Sequence, residues 1–268
     1  MKMIVLLKQT FDTEEKIKII DGAVDERDAK YVINPYDEYA LEEAIRLKEK
    51  HGGEVIAVGC GPDRAKEALR TALAIGADEA ILLNDESISD DGSQLAAALA
   101  AVVAPLSPEL VLAGLFAVDT GSGSVALQVA QRLGLPHASA ALKLTVGTEE
   151  ELSAAHAEGA SHYALVERDV EGDTETVCIP LPALITAQQG LNEPRYPSLP
   201  GIMKAKRKPL KSVALADLAI SAQQEEARTV RTELTPPPQR AAGKRLSGTP
   251  EEQARELVRL LQTEAKLL

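Results

Sequence analysis

The sequence contains little of what many common functional sites require. Among its 268 residues there is no tryptophan, and aromatic residues make up only 3% of the total. A planar redox ring or a nucleobase bound by stacking would find few rings here and would depend on a partner for them. The two cysteines, Cys60 and Cys178, are far apart and form no CxxC motif. This usage predicts free thiols in a reducing compartment rather than a disulfide framework.

Positive charge and long apolar runs are also scarce. The formal net charge is −12 and the pI is near 4.9, which argues against a nucleic-acid-binding surface because phosphates are neutralised by a clustered cationic face. No stretch approaches the ~18 apolar residues that span a bilayer, so no membrane insertion is predicted. Residues 1–8 are too short for a secretory signal and are typical of a first strand. The expected location is cytoplasmic.

Signatures of catalysis are absent from the sequence. The four histidines, His51, His137, His156 and His162, lie in unrelated contexts, and no pair has metal-ligand spacing. There is no GxSxG, HExxH or P-loop motif. Asp90-Asp91 is interpreted as a helix-start cap rather than an acid/base pair. The chain is therefore predicted to have no catalytic residue and no metal site, as expected of a binding or carrier protein rather than an enzyme.

Apolar strand patterns and amphipathic helix patterns alternate through the first 145 residues. Strands are predicted at 3–8, 55–58, 79–83, 110–115 and 138–146, and helices at 35–50, 63–75, 93–103 and 125–133. This rhythm predicts an α/β fold with a mainly parallel, doubly wound sheet. Asp21-Gly22 and Glu171-Gly172-Asp173 indicate hairpins, the second between strands at 163–168 and 174–179.

The sequence divides into two predicted parts. Residues 1–210 form an α/β nucleotide-binding domain that includes a proline-rich segment at 191–208. Residues 211–268 carry too little apolar periodicity for a domain and are predicted to form an extended arm, ending in an amphipathic helix at 250–267. Such an arm wraps a partner or its own subunit.

Three turns rich in glycine and small polar residues follow predicted strands or begin helices. They are Asn34-Pro35-Tyr36-Asp37, Gly59-Cys60-Gly61, and the loop from Asp119 through Gly121, Ser122, Gly123 and Ser124 to Val125. The carboxyl ends of parallel strands share one crevice, so these turns suggest a mononucleotide site. The loop matches G-x-G-x-x-A, but it follows the fourth strand and has no acidic residue about 20 positions on, so a Rossmann fingerprint is rejected. A tight turn without a ligand remains the alternative.

The proline-rich segment at 191–208 is the most distinctive stretch of the chain. Pro194, Pro197 and Pro200 recur every three residues, which predicts a stiff loop and excludes a helix. Apolar Leu199, Ile202 and Met203 project from it, followed by the cations Lys204, Lys206, Arg207, Lys208 and Lys211. An apolar group beside a basic cluster on an acidic protein suits docking to another protein. The alternative is a surface connection whose apolar groups pack on their own domain. We refer to residues 191–208 as the docking segment.

Several motifs resemble the beta subunits of electron transfer flavoproteins. The resemblance is carried by Leu181-Pro182-Ala183, Thr186-Ala187, Leu191-Asn192-Glu193-Pro194-Arg195-Tyr196, Leu199-Pro200 and Ile202-Met203-Lys204-Ala205-Lys206. Upstream it continues in Asn34-Pro35, Ala57-Val58-Gly59-Cys60-Gly61-Pro62, the stretch 70–78 and Val166-Glu167-Arg168-Asp169. It covers most of residues 1–211.

The resemblance implies a heterodimer. An alpha subunit would hold most of a redox-active FAD, and the beta subunit would bury AMP and dock acyl-CoA and related dehydrogenases. The electrons would pass on to a quinone-linked oxidoreductase. Leu199 would insert into a dehydrogenase, with Pro200, Ile202 and Met203 beside it and Lys204, Lys206 and Arg207 at the rim. Asp169 stands where the family has a glutamate that contacts the flavin domain of the alpha subunit.

The expected AMP-binding residues come from the turns and from the ends of the strands beside them. They are Leu6, Asn34, Pro35, Tyr36, Asp37, Cys60, Gly114, Val118, Asp119, Gly121, Ser122, Gly123, Ser124 and Val125.

The nucleotide region departs from the family pattern. The family's Lys-Gln pair after the fourth strand is replaced by Leu115-Phe116, and its Asn-Gln-Thr turn by Gly123-Ser124-Val125. Bifurcating relatives bind a second FAD in place of AMP, and this alternative stays open, as does a standalone nucleotide-binding stress-type protein.

Overall fold

The computed structural model describes residues 1–20, 22–27, 29–152, 160–218, 226–238 and 242–267. Asp21, the first residue of the expected Asp-Gly turn, lies outside them. The strands are β1 (Lys2–Leu6), β2 (Gln9–Phe11), β3 (Ile19–Ile20), β4 (Ala23–Val24), β5 (Tyr31–Ile33), β6 (Glu54–Cys60), β7 (Glu79–Leu83), β8 (Leu110–Gly114), β9 (His137–Gly147), β10 (Tyr163–Val170), β11 (Asp173–Pro180), β12 (Ala183–Ala187) and β13 (Leu210–Val213). The helices are α1 (Pro35–His51), α2 (Lys66–Ile75), α3 (Gly92–Val103), α4 (Val125–Leu133), α5 (Glu149–Leu152), α6 (Leu199–Ala205) and α7 (Pro250–Thr263).

The main sheet confirms the predicted α/β class. Within the described ranges it has nine strands in the order β11-β10-β9-β12-β8-β1-β6-β7-β13. From β9 to β13 every neighbouring pair is parallel, and β10 and β11 add an antiparallel hairpin at the other edge. The predicted hairpin near residue 20 is formed by β3 and β4, whereas β5 pairs with β2.

Alternating side chains of the central strand β1 point to two separate cores. Met3 and Val5 pack into one core, together with α1 and α2. Ile4 and Leu6 pack into the other, together with α3 and α4. Because both faces are covered, the central strands are continuous apolar runs rather than alternating ones, which is what made them recognisable in the sequence.

Local signals account for where the helices begin and end. Pro35 occupies the first turn of α1, where a missing N–H breaks no helical hydrogen bond. Gly52 follows the end of α1 with φ +73°, a conformation that favours glycine. Asp91 caps α3, as predicted, by accepting a hydrogen bond from the backbone N–H of Gln94 at 2.8 Å. The terminal helix α7 ends at Thr263, four residues before the predicted end.

The sheet and its contacts continue past residue 210, into the segment assigned to the arm. Strand β13 pairs with β7, and Leu215 is buried beside it. Farther along, Thr229 donates hydrogen bonds to Asp91 from its backbone N–H at 2.9 Å and from its hydroxyl at 2.6 Å. Arg231 forms an ion pair with Asp90 at 2.7 Å. The start of the arm therefore binds its own subunit at the beginning of α3.

Replacing Asp91 tests whether this carboxylate stabilises both α3 and the arm. Asp91→Ala removes the cap of α3 and leaves the N–H groups of Gln94 and Thr229 without their acceptor. We expect the free energy of unfolding, measured by urea denaturation at pH 7, to fall by about 1–2 kcal/mol.

Asp90→Ala is the matched control, because it removes only an exposed ion pair worth about 0–1 kcal/mol. Burial opposes ionisation of Asp91, but hydrogen bonds from Thr229 and Gln94 outweigh it and lower its pKa to about 2. Its stabilisation is therefore present above about pH 4 and is lost as the pH falls toward 2. Equal losses in the two variants at pH 7 would contradict a special role for Asp91.

Candidate functional site

Asn34 connects the beginning of α1 to the loop that follows β8. Its side-chain amide donates to the carbonyl of Phe116 at 2.9 Å, and its side-chain oxygen accepts from the backbone N–H of Val118 at 3.1 Å. This side chain makes no capping hydrogen bond to the N–H groups of α1. The tertiary contact uses the polar atoms instead and fixes the loop next to the helix.

Asp37 lies at the centre of the same region and is fully buried within the first turn of α1. Its carboxylate accepts hydrogen bonds from the backbone N–H of Lys8 at 2.7 Å, the backbone N–H of Gly114 at 3.0 Å and the side chain of Asn34 at 3.0 Å. Burial raises the pKa of Asp37 to about 7, against the lowering effect of these three donors. One carboxylate thus joins the ends of β1 and β8 to α1.

Gly114 is required for this close approach. A Cβ atom at that position would lie 2.3 Å from Oδ1 of Asp37 and 2.7 Å from Cβ of Tyr36. The carboxylate of Asp37 is held by three hydrogen bonds, and Cβ of Tyr36 is attached to the backbone of α1, so neither atom can easily move away. The glycine therefore allows the end of β8 to contact the beginning of α1 directly.

Lys8 extends the network to the loop between β8 and α4, which the sequence assigned to a mononucleotide site. Its ammonium group forms an ion pair with Asp119 at 2.7 Å. Lys8 was not among the residues selected from the sequence, although it lies two residues after the end of β1, at the carboxyl edge where ligand sites form. That position was the signal that could have found it.

Two rings lie together beside these contacts. The ring centroids of Tyr36 and Phe116 are 4.3 Å apart, with an interplanar angle of 41°. Phe116 was noted in the sequence only as a departure from a family pattern. In the structure it is a ring partner of Tyr36, and its carbonyl is bonded to Asn34.

Two glycines of the loop before α4 adopt backbone conformations that favour glycine. Gly121 and Gly123 have φ angles of +65° and +59°, in the left-handed region. The side chain of Ser124 does not cap α4, and its oxygen instead accepts a 3.3 Å hydrogen bond from Gln128. Gly123 lies close to the start of the loop that carries Phe116, since a Cβ atom on Gly123 would lie 3.4 Å from the carbonyl oxygen of Leu115.

Three of the predicted nucleotide residues turn toward the protein interior. Leu6, Cys60 and Val125 all pack against the core formed with α3 and α4. Burial, with a smaller contribution from Asp85, raises the pKa of the Cys60 thiol to about 12. At neutral pH this thiol is protonated and unreactive.

The docking segment is not a continuous loop, and here the sequence prediction was wrong. Residues Leu199–Ala205 form α6, with Ser198 as its cap, accepting from the N–H of Gly201 at 3.1 Å. Pro200 lies in the first turn, where proline is tolerated, so the proline spacing did not exclude a helix after position 198. Only Pro194 and Pro197 lie in the irregular part of the segment.

The apolar side chains of α6 point into solvent. Leu199 is 80% exposed and Met203 71%, and Ile202 is also exposed. Positions 199, 202 and 203 share one face of a helix, so they form one continuous apolar surface. This arrangement differs from the alternative in which the segment packs its apolar groups on its own domain.

The basic cluster is divided by the fold. Lys204, Lys206 and Arg207 are exposed. By contrast, Lys208 donates to the carbonyls of Leu73 at 3.0 Å and Ala77 at 2.6 Å, and Lys211 pairs with Glu79 at 2.5 Å. Three cations, rather than five, therefore lie beside the apolar surface of α6.

Asp169 is exposed near the end of β10, and its carboxylate accepts a 3.2 Å hydrogen bond from Gln188. Over the described ranges, no group of three or more His, Cys, Asp or Glu residues could hold a metal ion. None of the helices in the same ranges is long and apolar enough to span a bilayer.

Replacing Asp37 tests the central role of its carboxylate. Asp37→Asn turns one acceptor oxygen into an N–H donor that faces other donors. At pH 8 this carboxyl group is ionised in the folded state, and we expect the free energy of unfolding to fall there by about 1–3 kcal/mol, measured by urea denaturation.

The pH dependence of this loss is a further readout. With a folded-state pKa near 7 and an unfolded value near 4, the native state binds the proton more tightly, so the stabilisation by Asp37 decreases as the pH rises from about 4 to about 7. The gap between wild type and Asp37→Asn should therefore narrow toward pH 8. Glu67→Gln, an exposed acidic residue in the first turn of α2, serves as the control. A gap that does not change with pH would refute the raised pKa.

Comparison with known proteins places this chain in a family. A family model described as "Electron transfer flavoprotein domain" matches residues 21–218. The chain is 48% identical to the electron transfer flavoprotein subunit beta of Bacillus subtilis over 271 residues, covering 100% of both chains. It is 39% identical to the subunit beta of Syntrophomonas wolfei, covering 100% of this chain and 98% of the relative. It is 36% identical to a mitochondrial subunit beta of Arabidopsis thaliana, covering 94% and 95%.

A family model that matches most of the chain and relatives that match along its whole length lead to one conclusion. The chain belongs to the electron transfer flavoprotein family, among its beta subunits.

Proposed function

We propose that this chain is one half of a heterodimer whose alpha subunit holds most of an FAD. The heterodimer accepts electrons from acyl-CoA and related dehydrogenases and passes them to a quinone-linked oxidoreductase. The FAD supplies the redox chemistry when bound. The beta subunit docks the dehydrogenase and binds AMP as a structural group, and it makes or breaks no covalent bond itself.

The observation that carries the docking role is the apolar surface of α6. Leu199 is 80% exposed in a chain whose other leucines mostly build the two cores. Burying such a side chain in a partner is favourable by about 1.5–3 kcal/mol. The exposed cations Lys204, Lys206 and Arg207 lie beside it and suit an acidic rim on the dehydrogenase, where charges chiefly guide the encounter.

The proposed AMP site is supported by the backbone of the loop before α4. The helix has nine residues, and its first-turn N–H groups are not capped by Ser124, so they suit a phosphate. Gly121 and Gly123 allow the loop to bring its backbone close to the anion. The residues present therefore fit a phosphate group held mainly by main-chain N–H donors.

A second FAD in place of AMP is the alternative. The paired rings of Tyr36 and Phe116 beside the loop suit either group, because a flavin or an adenine stacks on such rings. Extracting the nucleotides from the purified heterodimer separates the two cases. One FAD and one AMP per heterodimer supports the proposal, and two FAD supports the alternative.

We also propose that the arm and Asp169 contact the alpha subunit. Helix α7 exposes Leu257 and Val258, each nearly half accessible, and Leu260 and Leu261 follow them in the same helix. Asp169 is exposed and stands at the position of a family glutamate that contacts the flavin domain.

Shortening the exposed leucine tests the docking role. With the heterodimer as the varied substrate of an acyl-CoA dehydrogenase, Leu199→Ala is expected to raise KM about 10-fold while the FAD content stays unchanged. Ile17→Ala, which shortens an exposed apolar residue outside the docking segment, is the control. Unchanged reduction kinetics in Leu199→Ala would refute the role of α6 in docking.

Replacing Gly123 tests the nucleotide loop. A valine at φ +59° is strained, so Gly123→Val should weaken AMP binding about 10-fold and lower the AMP content of the purified heterodimer. Gly172→Val carries the same strain in the β10–β11 turn, at φ +81°, and should leave the AMP content unchanged. Normal AMP content in Gly123→Val would argue against the loop as the phosphate site.

A further inference from the structure

The docking segment is attached to two different helices of its own subunit. Its irregular part is bonded to α1, and α6 is seated on α2. Both helices pack on the same face of the main sheet. None of the residues that make these attachments was selected from the sequence as functional.

The first attachment is a guanidinium group held by two carboxylates. Arg195 donates from Nε and Nη2 to the two oxygens of Glu42, both at 2.9 Å, and from Nη1 to Glu49 at 2.5 Å. Glu42 and Glu49 are seven residues apart on α1, which is two helical turns, so both face the same guanidinium. Asn192 adds hydrogen bonds to Glu43 at 2.9 Å and to the carbonyl of Tyr39 at 3.0 Å.

The pairing with Glu42 is the strongest of these contacts. Its side chain is only 5% exposed, while that of Glu49 is 57% exposed. A buried carboxylate without its partner is strongly unfavourable, so Glu42 holds Arg195 in place. A bidentate geometry also fixes the direction of the arginine, and with it the course of the backbone that leads to α6.

The second attachment places α6 directly against the end of α2. A Cβ atom on Gly201 would lie 2.3 Å from the carbonyl oxygen of Ala74, so only glycine allows this approach. Arg70 donates to the carbonyls of Ala205 at 2.8 Å and Lys208 at 3.0 Å, at the end of α6. Gly201 and Ala205 are one turn apart and face α2, which leaves Leu199 and Met203 on the opposite, exposed side.

We propose that these two attachments preorganise the docking helix, with Arg195 and Gly201 as the residues that position Leu199 for the dehydrogenase. The proposal rests on the docking role proposed above. A segment that is already fixed loses less conformational freedom on binding than a mobile loop does, so the same apolar contact gives a higher affinity. Neither residue needs to touch the partner for this effect.

The test measures reduction of the purified heterodimer by an acyl-CoA dehydrogenase, with the heterodimer as the varied substrate. Arg195→Gln and Gly201→Ala should each raise KM about 10-fold with kcat and FAD content unchanged. Alanine has a higher helix propensity than glycine, so a rise in KM for Gly201→Ala would come from displacement of α6 rather than from loss of its helical structure. Arg27→Gln, which breaks an exposed ion pair with Asp25, and Gly243→Ala in the arm, where nothing lies within 4 Å, are the matched controls.

A double-mutant cycle shows whether the two residues act through Leu199. In the Leu199→Ala background, Arg195→Gln and Gly201→Ala should each change KM by less than about twofold, because the side chain that they position is gone. Effects that multiply with that of Leu199→Ala would overturn the proposal and indicate a separate, purely structural role.

The remaining outcomes separate this proposal from the docking role itself. If Leu199→Ala leaves KM unchanged, the docking role fails and this proposal with it. If Leu199→Ala raises KM but Arg195→Gln and Gly201→Ala do not, only the preorganisation is overturned. If Arg195→Gln lowers the FAD content because Glu42 is left unpaired, the Glu42→Gln/Arg195→Gln double variant replaces it in the cycle. The KM of Gly201→Ala, with and without Leu199→Ala, then tests the proposal by the same criterion.

Discussion

A single buried carboxylate joins three segments that are far apart in the sequence. Asp37 accepts hydrogen bonds from Lys8 after β1, from Gly114 at the end of β8 and from Asn34 before α1. Burial of a carboxylate is unfavourable unless its oxygens are satisfied, so these partners have to meet at one point. The position of α1 on the sheet follows from that requirement. The loop after β8, which Asn34 binds, is placed by it as well.

Because α1 is fixed at its first turn, everything bonded along its length is fixed too. Glu42 and Glu49 lie farther along the helix and hold Arg195, which belongs to the docking segment. The candidate nucleotide site is thus attached to the first turn of α1, and the docking segment to the middle and last part of the same helix.

The charge distribution is consistent with a surface that meets a partner. The chain as a whole carries a net charge of −12, yet three exposed cations, Lys204, Lys206 and Arg207, follow the apolar face of α6. The other two cations of the cluster, Lys208 and Lys211, are used within the fold. In an acidic protein an isolated basic region attracts acidic surfaces, and the attraction weakens at high salt.

What the sequence by itself determined was the local structure. Buried parallel strands are apolar runs, and helices that pack on a sheet are amphipathic, so β7 and α4 were predicted with their observed limits. Asp91 was predicted as the cap of α3 because a cap acts within one helical turn. The tertiary structure alone decided which distant groups meet, as in the pairing of Arg195 with Glu42 across 153 positions and of Lys8 with Asp119 across 111. It also decided where α6 lies, since its seat on α2 depends on the close approach of Gly201 to Ala74. Local patterns reflect backbone preference and burial, whereas the partner of a polar side chain is set by the packing of whole elements, which no short stretch of sequence encodes.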